Sequence, residues 1–193
     1  MMRLALSVAI VFILAIGVGA ASVRYALDHL AGFDGLSIGP WIAFPNRGTP
    51  SADPYSKARF SRDAELPLGQ SEGLAFIAAA DSAGAPLRRA CSYRIEGKVP
   101  AARFWTIYSS ADGGTPLPSL RPRWPGLHSM QVLRRNDDSL DIIASPVPHP
   151  GNWLATGGDG TMNLVLTLYD APAISNPDAA QLELPLIYRT GCE

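Results

Sequence analysis

The segment from Thr161 to Tyr169 constrains the fold more than any other, because its side chains alternate. Met162, Leu164, Leu166 and Leu168 point one way, while Thr161, Asn163, Thr167 and Tyr169 point the other; Val165 is the single exception. A period of two describes a strand with one face buried, which commits the chain to a sheet packed against something apolar. The strand is entered through Gly157-Gly158-Asp159-Gly160 and closed by Asp170-Ala171-Pro172. Further short strands are read at 74–80, an apolar run, and at 88–96, 101–109, 129–134, 139–145 and 182–188. Asn136-Asp137-Asp138 has the residue types of a hairpin turn. Pro185 places the last strand at a sheet edge, since proline cannot donate to a ladder. Pro 17 and Gly 18 punctuate the 193 residues, and no helices cross between the strands. The expectation is a mainly β chain whose residues 73–193 form an antiparallel β-sandwich or jelly roll.

Ahead of that domain, Leu4 to Val23 carries no charge and only Ser7 and Ser22 as polar residues. Twenty residues at about 1.5 Å each span roughly 30 Å, the hydrocarbon thickness of a bilayer. Val23, Ala26, Leu27 and Leu30 keep helical spacing past Arg24, so 1–31 reads as an uncleaved transmembrane anchor helix. A signal peptide cut after Val18-Gly19-Ala20 is the competing reading. Arg3 favours a cytoplasmic start and Arg24 opposes it, while a folded domain behind a short tail favours export. The expected location is the bacterial inner membrane, single-pass, with the carboxyl-terminal domain in the periplasm.

Residues 32–72 read as a linker arm, broken by Gly and Pro every few residues and packed on the domain through Trp41, Ile42 and Phe44. Asp53-Pro54 starts a short helix expected to run to about Leu66. Its Lys57, Arg59 and Arg62 form a basic side, read as a solvated face, with contact to anionic lipid headgroups as the alternative. Gly35-Leu36-Ser37-Ile38-Gly39 matches a hydrolase nucleophile pattern by chance, because Pro40-Trp41 supplies no helix behind the serine.

Three segments together resemble the DUF1214 family, a bacterial domain of unknown function. They are Tyr93 to Ser110, containing Phe104-Trp105-Thr106-Ile107-Tyr108; Asn136 to Ile142; and Asn152-Trp153-Leu154 through Leu168-Tyr169. They stand in the family's order and cover roughly Gly73 to Pro172. The family commonly has a proline after Asn-Trp-Leu, where this chain has Ala155. The resemblance implies a jelly-roll sandwich. It also implies a companion, since such domains often follow a DUF1254 domain in a longer polypeptide; a separate DUF1254-type membrane protein is the expected partner. It carries over no catalytic residue.

The remaining chemistry is sparse. A net charge of -1 with scattered basic residues argues against nucleic acid. Cys91 shares a strand side with Tyr93 and Ile95, and Cys192 has the parity of Leu186 and Tyr188, so both are expected to face inward. An oxidising periplasm favours a disulfide between them; two separate buried thiols are the alternative. His29, His128 and His149 lack metal-ligand spacing, so no metal and no cofactor is expected. Asp137, Asp138 and Asp141 match no calcium loop and read as turn and solvent-facing positions. The glycines at 157–160 precede a strand rather than a helix, which removes a phosphate cradle. Trp124 and Trp153 are candidates for stacking on a sugar ring, with Trp153 read first as a plug at an open end of the sheets. His149, Asp159 and Tyr169 are the residues an enzyme would have to bring together. The functional expectation is a binding or assembly component of a cell-envelope complex, with a glycan or lipid ligand. The rival is a hydrolase or isomerase acting on an envelope glycan or lipid.

Overall fold

The computed structural model describes residues 2–29, 35–64, 66–69, 71–111, 114–118, 126–172 and 182–192. Trp124 lies outside them. The apolar start forms α1 (Met2–His29). Its side chains are exposed from Arg3 to Tyr25, and Ala26 and Leu27 are half-buried. Arg3–Leu27 is long and apolar enough to cross a membrane, a test that a signal sequence also passes.

The described strands, in chain order, are β1 (Leu36–Ile38), β2 (Trp41–Ala43), β3 (Gly73–Ala78), β4 (Cys91–Gly97), β5 (Phe104–Ser110), β6 (Gly126–His128), β7 (Leu140–Ser145), β8 (Asn152–Ala155), β9 (Asn163–Tyr169) and β10 (Leu186–Cys192). They form two sheets, ordered β1-β2-β3-β9-β5-β6 and β10-β4-β7-β8. Each keeps two edges, so neither closes into a barrel. Leu164, Leu166 and Leu168 of β9 share one buried cluster with Phe76, Trp105 and Ile107 of the larger sheet and Tyr93, Ile95 and Ile142 of the smaller. Trp41, fully buried in β2, donates its indole N–H to Pro185 O at 2.7 Å, tying the larger sheet to the chain entering β10.

Segment 32–72 is therefore more than a linker: its hairpin β1–β2 completes the larger sheet. Between β2 and β3 lies α2 (Pro54–Asp63). The Asp53 carboxylate accepts from the Tyr55 and Ser56 amides at 3.0 Å and from the Ser56 hydroxyl, capping the helix; the hydroxyl is the main reason its carboxyl sits below the ordinary range. The helix ends before the expected Leu66 because Ala64 turns left-handed, at φ 51, and donates its N–H to Phe60 O. α1 and α2 are in contact.

Three expectations need correction. First, one pairing is parallel: β7 lies beside β8 in register Ile142↔Asn152 to Ser145↔Ala155. Parallel neighbours usually need a long crossover. Here residues 146–151 suffice, because Pro146, Pro148 and Pro150 fix φ and favour an extended return. Second, 129–134 is not a strand. The chain turns there, and the Leu133 amide donates to Asn152 Oδ1 while its carbonyl accepts from Asn152 Nδ2, so a side chain takes the place of a ladder. The turn at 136–138 is present, joined by a lone Arg134↔Leu140 bridge. Third, the parity of β10 is inverted: Ile187 is buried while Leu186 and Tyr188 are exposed. A bulge between Arg189 and Gly191 then brings Cys192 opposite Cys91. The two cysteines form a disulfide, with Cα atoms 4.0 Å apart, even though Cys192 is exposed and only Cys91 is buried.

Candidate functional site

Two grooves mark the outer faces of the two sheets. The first lies on the larger sheet. Strand pairing places Ile77, Val165 and Tyr108 in one outward row and Ala75 beside Thr167 in the next; Gly73 then lies beside Tyr169. An outer face of an antiparallel sheet is ordinarily solvated and polar. Here Val165 and Thr167 are 4% and 5% exposed, so β9 is covered on both faces rather than half-buried. The cover is the arm: Phe44, Arg47 and Leu66 to Leu68 wall a groove of about 380 Å³ above this floor. The Arg47 guanidinium lies 4.7 Å from the centre of the Phe44 ring and 5.3 Å from that of Phe60. At the Tyr169 end, Phe104 packs its ring 5.9 Å from Tyr169 and 5.6 Å from His128. Among the described residues the groove lining is uncharged apart from Arg47, which fits it to hold an apolar group.

The second groove, about 540 Å³, lies on the smaller sheet under the 146–151 return. Its base is an ion-pair network. Arg94 donates to both Asp141 oxygens, at 2.8 and 2.7 Å; Arg135 donates to Asp141 at 2.7 Å and to Glu96 at 2.6 Å. Hydrogen bonding from Arg94, with Arg135 assisting, holds the Asp141 carboxyl below its usual range, against the effect of burial. Asp141 raises the Arg94 guanidinium in return, and Glu96 followed by Asp141 raises Arg135. A carboxylate lowered in this way is a poor general base near neutral pH. The network balances its own charge and orients the groove wall.

The residues singled out by sequence do not meet. His149 is exposed and lines the groove of the smaller sheet, whereas Tyr169 lines that of the larger. Asp159 is exposed in the 157–160 turn and lines neither. Trp153 is half-buried in β8 beside Ile143 and donates its indole N–H to Ser145 O at 3.0 Å. Ser37 lies in β1 opposite Ile42. The acids at 137–141 are engaged with protein groups: Asp137 accepts from the Ser139 amide and hydroxyl, and Asp138 pairs with Arg134 at 2.8 Å. Among the described residues, no group of three or more His, Cys, Asp or Glu converges. Sequence reasoning missed the floor Ala75, Ile77 and Val165, although Val165 is the residue that broke the alternation. It also missed the Arg94–Asp141–Arg135–Glu96 network, whose cross-strand neighbours no local pattern reveals.

No curated protein matches the chain. Among solved structures it is similar to the VPA0106 protein from Vibrio parahaemolyticus, at 15% identity and a TM-score of 0.58, over 89% of this chain and 42% of that one. It also matches an uncharacterised protein from Burkholderia cenocepacia at 17% identity and a TM-score of 0.45, over 92% of this chain and 51% of that one. The chain thus spans about half the length, or less, of these solved relatives. The family model for DUF1214, a protein of unknown function, matches residues 72–173, which is more than half of the chain. This chain belongs to the DUF1214 family.

Proposed function

We propose that the chain is a binding domain of the bacterial cell envelope, held in the inner membrane by α1, with its sheets in the periplasm and a partner protein beside it. The carrying observation is the Cys91–Cys192 disulfide in a domain that follows an unburied apolar helix. Disulfides persist where the surroundings are oxidising, and an apolar helix without protein cover needs lipid. We read the two sheets, joined through one buried cluster, as a sandwich of jelly-roll type. Binding is favoured over catalysis because His149 and Tyr169 line different grooves, and Asp141 is held as a weak base. The proposed partner, on the strength of the family resemblance, is a DUF1254-type membrane protein.

The test is purification of the full chain from native membranes, followed by mapping of its amino terminus and of co-eluting proteins and small molecules. An intact amino terminus, a co-eluting membrane protein and cysteines that resist alkylation until reduced are the expected results. A chain starting at Ala21 refutes the anchor, and repeated recovery of a lone chain refutes the complex.

A further inference from the structure

We propose that the groove on the larger sheet holds an acyl chain of a membrane phospholipid. The inference rests on reading α1 as a membrane span and goes beyond it by assigning a site and a ligand class. The floor shows why the ligand is a hydrocarbon chain. Gly73 to Ile77 is four strand steps, about 13 Å at roughly 3.3 Å per residue, and Ala75 and Ile77 offer aliphatic surface along it, with Tyr108, Thr167 and Tyr169 beside them and Val165 nearly buried beneath. A volume of about 380 Å³ falls in the range of small-ligand pockets, roughly 300–1,000 Å³. Among the described residues, the one charged side chain on its lining, Arg47, is stacked over the Phe44 and Phe60 rings.

The walls show why the source is the bilayer. They come from the two ends of one arm segment, Phe44–Arg47 and Leu66–Leu68, and α2 between those ends touches α1. The groove is therefore built from the same segment that meets the membrane helix. At its rim Leu66 is 96% exposed, so its apolar side chain is open to contact with a lipid tail.

The experiment places the full chain in vesicles of phosphatidylethanolamine and phosphatidylglycerol, with a trace of phospholipid bearing a diazirine in its acyl chain. After photolysis, adducts are expected on peptides containing Leu66 to Leu68 and Ile77 or Val165, as well as on α1. Ala75→Phe fills the floor and lowers the groove adducts at least tenfold while those on α1 persist. Leu66→Asp, at a position too exposed to disturb folding, gives the same direction and decides the matter if Ala75→Phe is unstable. Adducts on α1 alone, or groove adducts unchanged in both variants, overturn the proposal and leave the membrane reading standing. Absence of adducts on α1 overturns the membrane reading and this site with it. A matched diazirine fatty acid forms the second arm, and groove adducts from it alone overturn the assignment to a bilayer lipid.

Discussion

Replacing Cys192 by serine removes one covalent bond and little packing. Cys192 is exposed at the end of an edge strand, whereas Cys91 is 2% exposed and belongs to the core. The bond joins residues separated by 101 positions, so its loop encloses much of the domain. In the chain-entropy account a loop of about 100 residues restricts the unfolded chain by about 4.7 kcal/mol. With a urea slope of about 2 kcal/mol per molar, Cys192→Ser lowers the unfolding midpoint by about 2 M. The assay is urea denaturation of the full chain in detergent micelles, followed by tryptophan fluorescence, since Trp41 and Trp105 are both buried. Reducing the wild-type protein produces the same shift. Cys91→Ser produces a larger one, because it also places a hydroxyl in an apolar cluster at a further cost of about 1–3 kcal/mol. A midpoint for Cys192→Ser within about 0.3 M of wild type refutes the reasoning on magnitude. Alkylation of both wild-type cysteines without reductant refutes the bond itself.

Two further predictions concern the outer faces. Asp141→Asn removes the carboxylate shared by Arg94 and Arg135; because the side chains are partly solvated, the expected loss is about 1 kcal/mol at pH 7 and shrinks in high salt. The Asp141 carboxyl is lowered in the folded protein, so its stabilisation is present above the ordinary carboxylate pKa, near 3.9, and fades as pH falls through the lower folded value. Melting curves of wild type and variant should thus converge in acid, and a difference that persists or grows there contradicts the assignment. Gly48→Ala places a methyl group 2.1 Å from Leu68 O and 2.6 Å from its carbonyl carbon, so the two ends of the arm must move apart. The expected result is about 1–3 kcal/mol of destabilisation and new protease cleavage within 44–69, while unchanged cleavage there argues that the arm is not seated by this contact.

The positions of β3, β4, β5, β7, β9 and, in part, β10 were legible, whereas β1, β2, β6 and β8 were not expected, and what each strand pairs with was not legible. Leu164, Leu166 and Leu168 announced β9 because burial of one face imposes a period of two, and Tyr93 and Ile95 announced β4 in the same way. That period carries no information about a neighbour's direction, so the parallel β7–β8 pair was invisible. β10 shows a subtler failure. Pro185 correctly marked an edge, but the parity read from Leu182 and Leu184 continues only to the proline, after which Ile187 becomes the inward residue. The bulge at 190 then adds one residue and brings Cys192 opposite Cys91. The expected disulfide forms, although the expected parity does not hold, because the cross-link depends on register after the bulge and not on a uniform face.

The two grooves share a physical origin that explains why neither was foreseen. Each is walled by proline- or glycine-broken stretches that cover the outer face of a sheet: 44–47 and 66–68 over β3 and β9, and 149–151 over β4 and β7. Such segments have no period to read, so their residue types mark them as loops without saying what they cover. Their effect is nevertheless written in the strands beneath. Val165 departs from the alternation of β9 because its outward position is covered, and the apolar run 74–78 places Ile77 outward beside it for the same reason. Under the second segment the outward positions stay charged, and Arg94, Asp141 and Arg135 satisfy one another instead. The outer face of the larger sheet is thus prepared for apolar contact and that of the smaller sheet for polar contact. A partner or ligand that engages both faces has to match that difference in chemistry.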